Sequence, residues 1–306
     1  MNRSVLYPTS NITVINDGIL ATTAKEGVLV LWRVEGLRGQ HSILPDDIRN
    51  IRGNAAFRRG DIVQESDRLI FTDGEASTSV SLSKSNTESP LPPLPDTWMT
   101  WEQQIMGVAN GAAKEEYRAI FRGVQFEPDK VKSTNGFMLY MLYTKTPAVK
   151  PVVVDAKALN IFKRLRPLEY GFTKHHMVVR GKDFVAWAEY MEGVFPDVER
   201  IIPKDGCKTE VSEDWEEVLG VVAPNVYDKV DVFPDGSMHY DGAIFNNLFN
   251  GWDGSKIKVR AAFLREAITY VGGAGAIVSV IDYHYPLKLT SRDGKRMALV
   301  ALERYY

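Results

Sequence analysis

The 306-residue sequence has a single cysteine, Cys207, and only five histidines. One thiol forms no internal disulfide and no multi-cysteine zinc site, which points to a reducing compartment. No apolar run reaches membrane-spanning length, and Met1-Asn2-Arg3-Ser4 leads into no signal-peptide core. A strong charge of one sign is also absent, since 37 Lys and Arg face 39 Asp and Glu for a net −2. Such a chain is no bulk polycation, so any nucleic-acid contact needs a localised basic face. The expectation is a soluble, cytoplasmic protein without membrane partners. With 44% hydrophobic and 25% charged residues, the composition excludes wholly disordered and collagen-like chains.

Catalytic motifs are equally scarce. His175 and His176 are adjacent in a strand-like stretch and would point to opposite faces, which disfavours shared metal ligation. Asp228, Asp231, Asp235 and Asp241 lack calcium-loop spacing, and two of them precede glycine, as hairpin turns require. Gly272-Gly273-Ala274-Gly275 is followed by no phosphate-loop Lys-Ser/Thr, and no G-x-S-x-G or H-E-x-x-H occurs. The residues point to a non-enzymatic protein with neither metal nor cofactor.

What the sequence does contain is repetition. Pro-rich junctions at Ser89–Asp96 and at Phe195-Pro-Asp197 with Ile202-Pro-Lys-Asp205 interrupt patterned sequence. The pairs Pro95-Asp96 and Pro196-Asp197 lie 101 residues apart, about a third of the chain. The segments between them share one order of elements. Amphipathic helices are predicted over Thr97–Lys114 and Ser212–Val222. Each is followed by strands, here Ala119–Phe126, Lys132–Tyr143 and Val152–Val154, there Lys229–Phe233 and Ser237–Phe249. A second helix follows, Asp155–Arg166 or Arg260–Tyr270, and then more strands, among them Leu287–Thr290. The first segment repeats this from Asn11 with a helix at Pro45–Arg52 but lacks a leading helix. The pattern predicts an α+β chain of three tandem repeats, 1–95 (truncated), 96–205 and 206–306.

Several helices have a basic or acid-free polar side. Lys157, Asn160 and Arg164 lie at i, i+3 and i+7, while Gln103, Gly107, Asn110 and Lys114 form a stripe without an acid. Arg49 and Arg52 are three apart, and Arg265 projects away from Leu264 and Ile268. Arg49, Arg52, Lys114, Lys157, Arg164 and Arg265 are therefore candidate contacts to duplex DNA without sequence specificity. Solvated helix faces give the same pattern, and Glu213-Asp214-Trp215-Glu216-Glu217 would repel phosphate if it faced DNA. Those acids also suit a helix N-terminus.

Four motifs in the middle third resemble the bacterial DNA polymerase III beta subunits, the sliding clamps. Phe121-Arg-Gly-Val-Gln-Phe126 is similar to the family's Gly-x-x-Phe strand, and Ser133-Thr-Asn-Gly-Phe-Met-Leu139 to its Ala-Thr-Asp-Gly-His-Arg-Leu turn. Val154-Asp-Ala-Lys-Ala-Leu159 looks like its Pro-Ala-Lys-x-Leu helix start, and Glu192–Asp205 like the segment closing its second domain. The outer thirds add Tyr285-Pro-Leu-Lys-Leu289. The resemblance implies three clamp domains per chain and a homodimer closed head to tail into a ring around duplex DNA. Its implied partners are a DNA polymerase and a clamp loader, whose extended peptides enter a cleft between the second and third domains. Carried over, that cleft comprises Phe121, Thr134, Gly136, Leu139, Pro196, Arg200, Ile201 and Pro286. Phe137 and Met138 stand where the family has His and Arg, and the last wall falls at Leu299 to Leu302. The implied function is a DNA sliding clamp, a processivity factor. The alternatives are a clamp-like protein-interaction module that does not encircle DNA, and an enzyme whose site the sequence does not nominate.

Overall fold

The computed structural model describes residues 12–15, 18–23, 28–39, 41–43, 47, 50, 56, 60–84, 91–114, 119–204, 206–222, 227–251, 255–282 and 284–303. Two compact units are formed, residues 1–102 with 154–191 and residues 103–153 with 192–306. Each takes one outer part of the sequence and part of the span 96–205.

The chain begins with β1 (Ile12–Ile15), β2 (Ile19–Thr23), β3 (Leu29–Arg33) and β4 (His41–Ile43). Then come β5 (Asp61–Glu65), β6 (Arg68–Thr72), β7 (Ser77–Ser81), β8 (Ser83–Lys84) and β9 (Met99–Thr100). The middle part holds α1 (Gln104–Ala109), β10 (Gly123–Glu127), β11 (Lys130–Thr134), β12 (Met138–Tyr143) and β13 (Val152–Asp155). It continues with α2 (Ala156–Leu165), β14 (Glu169–Phe172), β15 (His176–Arg180) and β16 (Phe184–Glu189). After β17 (Cys207–Glu210) and α3 (Trp215–Val222) run β18 (Lys229–Val232), β19 (Met238–Tyr240) and β20 (Ala243–Phe245). The last elements are β21 (Ile257–Arg260), α4 (Ala261–Val271), β22 (Ile277–Val280), β23 (Leu287–Thr290) and β24 (Arg296–Val300).

In the first unit one sheet runs β8-β4-β1-β2-β3-β16-β15-β14-β9 and a second runs β5-β6-β7. In the second unit the large sheet runs β13-β10-β11-β12-β24-β23-β22-β17 and the small one β20-β19-β18-β21, with the unit boundary inside β13. Among the described residues the two strand pairings most distant in sequence are both antiparallel. Val185 is paired with Leu31 across β3·β16, and Leu139 with Leu299 across β12·β24.

Local chemistry explains the helices. Asp155 caps α2 by accepting from Lys157 N at 2.8 Å, and Lys163 and Arg164 sit at the opposite, electronegative end. Ala158, Leu159, Phe162 and Leu165 bury one side of α2. In the second unit β12 reads Met-Leu-Tyr-Met-Leu-Tyr, apolar on both faces, and is buried through Leu142. Tyr140 on it stacks on Tyr270 of α4 with centroids 4.3 Å apart and planes 3° apart. Such a pair contributes about 1 kcal/mol beyond its area. α1 approaches this stack through small residues: a Cβ on Gly111 would stand 2.8 Å from the Tyr140 ring.

Four expected elements differ. The helix expected over Thr97–Lys114 is only Gln104–Ala109, because Met99 and Thr100 pair with Tyr170 and Glu169 as β9 instead. Gly107 leaves the expected solvent stripe, since a Cβ there would stand 3.3 Å from the Tyr270 ring. Ala119–Phe126 opens as a 3-10 turn over Ala119–Arg122 before β10 begins. Lys132–Tyr143 and Ser237–Phe249 are each two strands, the latter broken by Asp241 and Gly242 at φ 48° and 79°. Most of Pro45–Arg52, and everything before Ile12, lies outside the described residues. No helix among the described residues is long and apolar enough to cross a membrane.

Candidate functional site

All residues of the candidate peptide cleft lie in the second unit, and its hinge is the β11–β12 turn. Thr134 Oγ1 accepts from Gly136 N at 3.1 Å and donates to Met138 O at 2.6 Å. Asn135 Oδ1 accepts from Phe137 N at 2.9 Å and from Met138 N at 2.8 Å. Gly136 takes φ 90°, a region that glycine enters without strain. Thr-Asn-Gly is thus a turn built from its own side chains, and it sets the register in which Thr134 faces Leu139.

That register sorts the site. Residues paired directly across a sheet share a face, so Thr134, Leu139 and Leu299 lie on one side, together with Lys132, Met141 and Lys288. Met138 belongs to the other side. Its sulfur is 3.9 Å from the Tyr140 hydroxyl, and it is buried in the helix-facing core. Across the first face runs the segment 195–203. Phe195 and Val198 are buried, Lys132 Nζ lies 6.0 Å from the Phe195 ring centroid, and Lys288 Nζ donates to Pro203 O at 3.3 Å. Lys130 Nζ reaches Glu199 Oε1 at 2.5 Å. This hydrogen bond holds the Glu199 carboxyl below its ordinary value and raises the Lys130 ammonium.

On this frame Pro196 is half-buried, Arg200 is exposed and pairs with Asp197 at 2.7 Å, and Ile201 is 52% exposed. Pro286, half-buried, leads into β23, and Leu302, half-buried, follows β24. Phe121 is half-buried in the 3-10 turn, where its carbonyl accepts from Ala113 N at 2.8 Å. Phe137, 46% exposed, stacks on Phe263 at 6.0 Å, and the Arg260 guanidinium lies 5.0 Å from its ring centroid. Arg260 and Lys229 both bind Glu303, at 2.8 and 2.9 Å. The Lys229 hydrogen bond, and then the one from Arg260, lower the Glu303 carboxyl.

The sequence reading omits Lys130, Lys132, Phe195 and Glu199, which fasten the segment, as well as the Arg260–Phe263–Glu303 group around Phe137. Alternation along β11 puts Lys130 and Lys132 on one face, but their burial depends on the 195–203 segment far along the chain.

Of the candidate DNA contacts, Arg49 and Arg52 lie outside the described residues. Lys114 follows α1 and is exposed, and Arg265 is exposed on α4. Lys157 is half-buried in the first turn of α2, and Arg164 is exposed in its last turn. Among the described residues no three His, Cys, Asp or Glu side chains are grouped to hold a metal ion. Asp235 shapes a turn instead, accepting from Ser237 N at 2.9 Å and Ser237 Oγ at 2.6 Å.

No family model matches the chain, and no curated protein sequence does. Its structure is similar along its whole length to solved proteins. The DNA polymerase III beta chain of Streptococcus pneumoniae superposes with a TM-score of 0.76 at 16% identity, covering 100% of this chain and 94% of that one. The beta subunit of Thermotoga maritima gives 0.78 at 14%, covering 100% and 95%, and the sliding clamp of Bacillus subtilis gives 0.76 at 14%, covering 99% and 92%. The chain has the sliding-clamp fold of the bacterial DNA polymerase III beta subunits.

Proposed function

We propose that the chain is a DNA sliding clamp: a non-enzymatic processivity factor that encircles duplex DNA as a head-to-tail homodimer and tethers a replicative polymerase. The observation that carries this reading is an unfilled sheet junction. The sheets β4-β1-β2-β3, β13-β10-β11-β12 and β21-β18-β19-β20 have one connectivity, and so do β5-β6-β7, β14-β15-β16 and β22-β23-β24. This supports three repeats of one unit. The last strand of the first kind of sheet pairs with the last strand of the second kind in the following repeat, as β3·β16 and β12·β24. By the same rule β20 requires β7, and both are edge strands of their sheets. A second copy supplies the missing pairing in each direction and so closes a ring, which removes exposed edges.

A closed ring holds DNA topologically, so weak and mobile phosphate contacts suffice. Lys114, Lys157, Arg164 and Arg265, with Arg49 and Arg52, supply those contacts. The face bearing Leu139, Leu299 and Ile201 receives an extended peptide from the polymerase or from the clamp loader. The test is retention on nicked circular DNA after loading by a clamp loader. Retention lost on linearisation is expected. Retention indifferent to linearisation would mean electrostatic adhesion, and no retention would leave the protein an interaction module.

A further inference from the structure

The first unit contains an open cavity of about 210 Å³, and Arg164 is the one residue of its lining that the clamp reading uses. Its inner lining is apolar and buried, made of Trp32, Leu165 and Phe184. Its exposed lining is cationic, made of Arg164, Arg166 and Lys182, with Asp183 as the one acid and Leu168, 60% exposed, alongside. Among the described residues none of the three cations has an ion-pair partner, whereas Lys130 and Lys132 of the second unit are paired. Arg166 is also held where a glycine would be expected. It ends α2 at φ 56° and ψ 63°, directly before Pro167. An arginine kept at a strained position beside a cavity points to a use for its side chain.

The lining selects the ligand. Three unpaired cations against one acid call for carboxylates or phosphates. The buried floor calls for one bulky apolar group as well. Duplex phosphates would meet the rim and leave the floor empty. An unstacked base needs an open aromatic face, but Trp32 and Phe184 are tilted against each other at 5.5 Å and buried. We propose that this cavity binds an acidic linear peptide, with one leucine- or phenylalanine-sized side chain inside and flanking carboxylates on Arg164, Arg166 and Lys182. The inference is independent of the cleft in the second unit; it shares Arg164 with the proposed phosphate contacts, so its test rests on Arg166 and Lys182.

The test is fluorescence anisotropy of a fluorescein-labelled Gly-Asp-Glu-Leu-Glu-Asp-Gly peptide on the full chain. Saturable binding is expected, weakened roughly tenfold or more by the double variant Arg166→Gly with Lys182→Ser, and equally by replacing the peptide's leucine with serine. Arg166→Gly alone is expected to melt no lower than the parent chain, since glycine suits that backbone. Ile201→Asp, in the other unit, leaves this binding unchanged. Absence of saturable binding, undiminished binding by the double variant, or equal binding of the serine peptide would overturn the proposal. So would an oligo-dT strand that binds more tightly than the peptide and loses affinity in the same variant, which would make the cavity a nucleic-acid site.

Discussion

Lys132 Nζ lies 2.6 Å from Glu127 Oε1, with the lysine side chain 6% exposed and the glutamate 16%. Glu199, carried on the 195–203 segment, adds a second carboxylate at 3.7 Å. A cation this buried is tolerated because its carboxylates are within reach, and the pair ties β10 and β11 to the segment that crosses them.

Removing one partner should therefore cost more than removing the charge altogether. Glu127→Ala is expected to lower stability by roughly 3 kcal/mol, because it takes the nearer carboxylate from buried Lys132 and a partner at 3.4 Å from Lys130. Lys132→Met, similar in volume, is expected to change stability by no more than about 1 kcal/mol. Urea denaturation of both variants decides. Equal, small losses would show that water screens the pair.

Acid should loosen the group around Phe137. Lys229 and Arg260 hold the Glu303 carboxyl below its ordinary value of 4.5. A carboxylate depressed in the fold contributes stability that is present above the unfolded value and lost as pH falls through the folded one. The midpoint difference between the parent chain and Glu303→Gln should thus be full near pH 7 and shrink steadily below about pH 4.5. A difference that stays constant to about pH 3 would remove Glu303 from the acid limb.

The proposed cleft can be probed without unfolding it. Leu139 is 1% exposed, so Leu139→Ala would cost roughly 2–5 kcal/mol of stability and blur any binding result. Ile201 and Phe137 are half exposed. Ile201→Asp and Phe137→Ala should each weaken binding of a polymerase C-terminal peptide by roughly tenfold or more; Ile201→Asp should leave the melting temperature nearly unchanged, while Phe137→Ala loses the roughly 1 kcal/mol of its stack on Phe263. Arg200, exposed and paired only to Asp197 among the described residues, should matter less. Unaltered titration curves for both cleft variants would place the peptide elsewhere.

How far the sequence spoke for itself can be judged strand by strand. Leu287–Thr290 has the bounds expected from local pattern. α2 starts at its aspartate cap as expected. Failures occur where a distant partner decides. Met99-Thr100 reads as helix until Glu169-Tyr170 pairs with it, and Trp101 N then donates to Leu168 O at 2.8 Å. Local pattern does not predict β14, because Gly171 separates Tyr170 from Phe172; a Cβ there would meet Thr97 O at 2.5 Å. The turn at Thr134–Gly136 is expected from its resemblance to the clamp family's turn, whereas the sides taken by Met138 and Leu139 need the register with β11 and β24.

The proposed ring hinges on β20. Its three residues Ala243–Phe245 form the edge of the four-stranded sheet, and Ile244 is 61% exposed. An open apolar edge invites another strand, and a lysine placed there opposes pairing. Ile244→Lys is therefore expected to raise the dimer dissociation constant at least roughly tenfold in sedimentation velocity at low micromolar concentration. Val149→Lys, at an exposed valine outside any strand, serves as the control and should leave the dimer intact. Equal dissociation by both variants would mean unspecific apolar association. A parent chain that stays monomeric at every concentration would refute the β20·β7 junction, and with it the ring.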